Sequence, residues 1–61
     1  MIEANIKKEN TIIDNVLYFR IMLKKVGWFS SWTVEYSSKT KEHRDDMFNK
    51  IKGARNIGVE R

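Results

Sequence analysis

Residues 15–25 read Asn15-Val16-Leu17-Tyr18-Phe19-Arg20-Ile21-Met22-Leu23-Lys24-Lys25, the most apolar stretch of the chain, and the period assigned to it decides the fold. Read at period two, Leu17, Phe19, Ile21 and Leu23 share one face of a strand, while Tyr18, Arg20, Met22 and Lys24 form an amphipathic, cationic face on the other. Read at spacings of three and four, Ile12, Val16, Phe19, Leu23 and Val26 make a helical stripe over residues 12–26, with Thr11 as cap and Gly27 as stop. That alternative gives a helix-hairpin-helix arrangement. The strand is favoured because Val-Leu-Tyr-Phe-Arg-Ile is dense in β-branched and aromatic residues, and Asp14-Asn15 is turn chemistry just ahead of it.

Working outward, Trp32, Val34 and Tyr36 alternate with Thr33 and Glu35, a second strand pattern that closes a hairpin across residues 16–37 through Gly27, Trp28, Phe29 and Ser30. On the other side, Ile2, Ala4 and Ile6 alternate weakly, and with Thr11-Ile12-Ile13 they predict a first strand ending at the Asp14-Asn15 turn. From Ser38 the period changes. Ser37 or Ser38 can cap a helix running to Gly53, with Glu42 near its first turn and Thr40, Met47, Phe48 and Ile51 toward one side. Arg44 and Arg55 fall at the edge of that stripe, where their stems can lie over the sheet rim. Ile57 to Val59 reads as a short edge strand or a frayed tail. The expected architecture is therefore α+β: an antiparallel sheet of two or three strands packed by one C-terminal helix, in a single small domain spanning residues 1–61.

Composition bounds what such a domain can do. A chain of 61 residues removes only about 60 % of its unfolded surface from water on folding, so its core is small. There is no cysteine and one histidine, which excludes a disulfide framework and the usual zinc sites; neither a cofactor nor a metal is expected. No apolar run approaches the roughly 18 residues of a membrane span, and Met1-Ile2-Glu3-Ala4-Asn5 lacks the basic-then-apolar order of a signal peptide. The expected location is the cytoplasm, with no membrane partner. Lysine, isoleucine and asparagine supply 20 of the 61 residues (8, 7 and 5), the bias of an AT-rich genome such as many bacteria and phages have.

Catalytic sets are not in evidence. His43 stands among Glu42, Arg44, Asp45 and Asp46, but consecutive helix positions diverge, and pairs at spacings of three and four contribute roughly 0.2–0.5 kcal/mol as surface contacts. Proton transfer also needs a pocket, for which a domain of this size has little room. No phosphate-cradling glycine loop and no His-x-x-x-His pair is found, and Asp45-Asp46 lacks the oxygen-rich loop that calcium prefers. The chain reads as a binding protein and not an enzyme.

Two functions of different class follow. The net charge is +4, divided evenly between residues 1–30 and 31–61, so attraction to a polyanion has to come from the way the fold groups its cations. On the strand reading Tyr18, Arg20, Lys24, Lys25 and Trp28 share an exposed face and its turn, where cations can meet phosphates and a ring can stack on a base. With the helix cations Lys39, Lys41, Arg44, Lys50 and Lys52 they form a candidate surface for DNA or RNA, in a regulatory or accessory role. The bland alternative is cross-strand packing of Tyr18 and Met22 under solubilising lysines. The second function is a protein-binding modulator, such as an inhibitor, antitoxin or phage-encoded host-takeover factor. Trp28, Phe29 and Trp32 fall within five residues, more aromatic surface than a small core accommodates, and tryptophan is a common interface anchor. A second copy of the chain is a candidate partner, since a homodimer adds buried area that a small monomer lacks.

Overall fold

The computed structural model describes residues 3–27, 31–54 and 57–59. Strand β1 runs Ala4–Ile13, β2 Val16–Lys25, β3 Thr33–Ser38 and β4 Ile57–Val59, and helix α1 spans Lys41–Ala54. They form a four-stranded sheet in the order β3-β2-β1-β4, with β4 parallel to β1 and the other pairs antiparallel. The class is α+β as expected, but the sheet is mixed and has four strands, because β1 extends over ten residues and Ile57–Val59 adds to its edge. Residues 12–26 are not helical. Tertiary pairing gives the period-two pattern of β2 a partner on each side, β1 along its whole length and β3 over Phe19–Leu23.

Asp14 and Asn15 take φ of 51° and 64°, the sign that a two-residue type I′ hairpin turn requires at both central positions. Asn and Asp tolerate this left-handed backbone better than other residues with a β-carbon, which is why the tight reversal falls there. Ten paired positions follow from it, from Ile13↔Val16 down to Ala4↔Lys25. At about 3.4 Å per residue a ten-residue antiparallel strand is some 33 Å long, which accounts for most of the molecule's 38 Å long axis.

The helix begins at Lys41, three residues later than Ser38, because Ser37 and Ser38 are still paired in β3 with Arg20 and Phe19. Thr40 takes the cap position: its C=O accepts the Arg44 N–H at 3.3 Å, and its own N–H donates to Ser38 Oγ at 3.1 Å. Ile6, Ile21 and Phe48 form the core, with Leu23, Tyr36, Met47, Ile51 and Ile57 packed around them. Positions 44, 47, 48 and 51 make the buried face of α1, so Arg44 lies inside the stripe and not at its edge. The helix covers one face of the sheet, the one carrying Ile6, Ile21 and Leu23. Among the described residues no helix is long and apolar enough to cross a membrane.

One irregularity distributes the aromatic residues. Ile21 pairs with Tyr36 and Met22 with Val34, leaving Glu35 as the extra residue of a β-bulge. Simple alternation would put Trp32, Val34 and Tyr36 on a common face. The bulge sends Tyr36 into the core beneath α1 and leaves Val34 and Trp32 on the opposite face.

Candidate nucleic-acid interface

The second face of the sheet carries, by strand parity and register, Asn5, Lys7, Glu9 and Thr11 from β1, Tyr18, Arg20, Met22 and Lys24 from β2, and Val34 from β3. Among the described residues no element packs over it. At its centre Met22, opposite both Lys7 and Val34, is 9 % exposed, shielded by its long neighbours. Trp32 joins this face just before β3. The Lys7 Nζ lies 4.3 Å and the Lys24 Nζ 5.1 Å from its ring centroid. Two ammonium groups thus frame one half-buried indole, each attracted by the negative face of the ring.

Arg20 adds a third cation. Its Nη2 donates to Glu9 Oε2 at 3.4 Å, a long ion pair with the cross-strand neighbour, and its Nε is shut off from solvent without an acceptor. Tyr18 follows two residues along the same face, half-buried. The sheet surface therefore aligns Lys24, Trp32 and Lys7 with Arg20 and Tyr18, and Glu9 is its one carboxylate among the described strand positions. That arrangement offers cationic donors to an anion beside a flat apolar ring.

The other expected contacts are scattered. Lys25 is exposed at the end of β2, and Lys39 and Lys41 are exposed where β3 passes into α1, so none of the three belongs to the cluster around Trp32. Arg44 is a correction. It is 3 % exposed, and its guanidinium is consumed by the fold: Nε donates to Asp45 Oδ1 at 2.7 Å, Nη1 to Asn10 Oδ1 at 3.0 Å and to the Glu9 carbonyl at 3.4 Å, with the Phe19 ring 5.3 Å away. Burial of a charge with partners on several sides makes it a structural clamp between helix and sheet, out of reach of a polyanion. Its position four residues before Phe48 and three before Met47 is the sequence signal for that role. Trp28 and Phe29, expected as interface rings, lie outside the described residues.

Lys7 had no local mark in the sequence, because only the pairing of β1 with β2 and the bulge in β3 bring it to Trp32. On the helix side, Lys8 pairs with Asp45 at 3.4 Å and lies over the Phe48 ring at 4.9 Å. Asp45 is held below its ordinary carboxyl value, chiefly by the Arg44 hydrogen bond, with Lys8 adding to it against an opposing effect of burial. His43 is exposed, at a shallow depression of about 220 Å³ shared with Tyr36, Asp46, Met47 and Lys50. Among the described residues, no three of His, Asp and Glu converge to hold a metal ion. Comparison of the chain with models of known protein families, with curated proteins and with solved structures gave no match.

Proposed function

We infer that this chain is a small non-enzymatic protein that binds nucleic acid in a regulatory or accessory role, through the uncovered face of its sheet. The observation that carries the reading is the placement of Lys7 and Lys24 over the Trp32 ring at 4.3 and 5.1 Å on the face that α1 does not cover. A cation over an exposed ring is worth about 0.5–1 kcal/mol, whereas stacking a base on an aromatic side chain is worth about 1–3 kcal/mol. An unpaired base can therefore displace the ammonium groups from the indole, and they swing to the adjoining phosphates. Arg20, held by one long bond to Glu9, is a third phosphate donor, and Tyr18 is a second stacking surface further along the strand.

This assignment favours a single strand over a duplex, since the ring must reach a base face. Titrating a mixed DNA and RNA oligonucleotide panel against tryptophan fluorescence tests it, at low and moderate salt, in a Trp28→Phe background so that the signal comes from Trp32 alone. Quenching that weakens steeply with salt is expected. Trp32→Ala should lose about 1–3 kcal/mol of affinity while far-UV circular dichroism stays unchanged, because the ring packs outside the Ile6–Ile21–Phe48 core. Lys7→Glu with Lys24→Glu should reduce both affinity and salt slope. An unresponsive Trp32 across the panel would overturn the reading in favour of a protein partner.

A further inference from the structure

We propose that the chain forms a symmetric homodimer by antiparallel pairing of the free edge of β1, centred on Asn10, so that two sheets join into one.

Among the described residues this edge is open beyond Ile6. The Val26 N–H donates to the Glu3 carbonyl at 3.1 Å, one step beyond the Ala4↔Lys25 pair. Bonded pairs recur at every second residue of an antiparallel ladder, so the odd positions of β1 bond to β2 and the even ones direct their N–H and C=O outward. Ala4 and Ile6 meet β4, which is paired only as far as Ile6. Lys8, Asn10 and Ile12 have no strand partner on that side among the described residues. The opposite edge of the sheet is guarded differently: β3 is short, exposes Glu35 and is broken by a bulge, the usual means of preventing strand addition. β1 carries no bulge or proline, and its edge lysine, Lys8, is drawn onto Asp45 and Phe48 of α1.

The occupant follows from the sequence of the edge itself. About a two-fold axis through Asn10, Lys8 of one copy faces Ile12 of the other, Lys7 faces Ile13, and Glu9 faces Thr11. No like charges oppose each other. Centring on Glu9 would set two carboxylates together, and centring on Lys8 two ammonium groups, whereas centring on Thr11 shortens the overlap, so Asn10 is the like-charge-free register with the longest pairing. Three outward-facing pairs, 8 with 12, 10 with 10 and 12 with 8, each exchange two backbone hydrogen bonds. The apolar surface agrees. Beyond the reach of β3 the β1–β2 ribbon stands alone, exposing Ile12 at 70 %, Ile13 at 47 % and Leu17 at 45 %, and an isolated two-stranded ribbon is marginal in water. Pairing lays the two ribbons side by side and gives Ile12 the Lys8 stem of the other copy to cover it. The axis is normal to the sheet, so both helices fall on one side and both uncovered faces on the other.

Sedimentation of the full chain across a concentration series, with two opposite substitutions at one exposed site, tests this. The wild type is expected to be dimeric. Ile12→Lys sets a lysine against Lys8 twice per dimer and should weaken association by about tenfold or more, whereas Ile12→Glu sets a carboxylate there and should keep the dimer. Because Ile12 is exposed, both variants should retain the wild-type circular dichroism. As the chain has no cysteine, Asn10→Cys supplies an independent register test. Directly paired positions lie about 5.5 Å apart between α-carbons, inside the roughly 4.4–6.8 Å that a disulfide spans. It should cross-link on mild oxidation, and Lys25→Cys should not. A wild type that sediments as a monomer throughout would overturn the proposal, as would a dimer indifferent to Ile12→Lys. If Asn10→Cys disturbs folding by losing its Arg44 contact, the pair of Ile12 variants decides.

Discussion

At the scale of single residues, Arg44 and Asp45 show how this small fold uses charge in place of apolar volume. Arg44 fills a core position of the helix stripe and is tolerated there because Asp45, Asn10, the Glu9 carbonyl and the Phe19 ring surround its guanidinium. The Arg44 hydrogen bond holds the Asp45 carboxyl below its ordinary value of 3.8. A depressed folded-state value means that the ionised group stabilises the fold in full above the unfolded value and loses that contribution as pH falls through the folded one. Asp45→Asn should therefore unfold at lower urea concentration than the wild type at neutral pH. The gap should shrink as the medium is acidified through the ordinary aspartate range and close below the lowered folded-state value, where the wild-type side chain is itself neutral. A gap of constant size down to strong acid would show that Asp45 acts through shape and not charge. Asn10 and Arg44 differ in how visible they are beforehand: the spacing of Arg44 to Phe48 already puts it on the apolar stripe, whereas Asn10 is an ordinary strand residue until the helix crosses it.

Among the elements, β3 has the least regular pattern and the most consequence for the surface. Residues 32–36 alternate cleanly in sequence, yet the bulge at Glu35 puts Tyr36 of β3 on the face that packs under α1 and Val34, with Trp32 just before the strand, on the other. Deleting Glu35 should leave Thr33↔Leu23, Val34↔Met22 and Tyr36↔Ile21 in place and merely regularise the ladder. The expected outcome is a folded protein with Tyr36 still packed half-buried against the core, a stability change within about 1 kcal/mol, and Trp32 still responsive to oligonucleotides. Loss of the fold on this deletion would mean that the bulge supplies a twist the sheet needs. By contrast, the turn between β1 and β2 is legible in the sequence, since Asp14-Asn15 fits a reversal whose two central residues need positive φ, while Lys7-Lys8-Glu9-Asn10 gives no apolar alternation and the full length of β1 comes from its pairing with β2.

For the molecule as a whole, the core cluster among the described residues is Ile6, Ile21 and Phe48, of which only the two isoleucines are fully buried, with one helix laid across one face of one sheet in a body 16 Å thick. So small a centre makes every large side chain in it critical. Phe48→Ala should cost about 3–5 kcal/mol, comparable with the whole stability of a marginal domain, and should leave the chain largely unfolded by circular dichroism at room temperature. Trp32→Ala, of greater volume, should not, because its ring packs on the uncovered face. If the two variants behaved alike, Trp32 would belong to the folding core and its surroundings could not be reserved for a ligand. The same economy explains the exposed ribbon: apolar residues at its tip lie beyond the reach of a 14-residue helix and stay exposed in the single chain.

By itself the sequence determined what is local. Period two in residues 15–25, the turn chemistry of Asp14-Asn15 and the change of period after Ser38 point to one long strand, a reversal ahead of it and a helix, since side-chain direction along each element follows from backbone geometry alone. The tertiary structure decided what depends on pairing: the bulge that separates Tyr36 from Trp32, the meeting of Lys7 with Trp32, the burial of Arg44, and the free edge that β4 leaves on β1. Register and layer packing join residues far apart in the chain, and the free energy that selects among registers belongs to the assembled core, which no single segment contains.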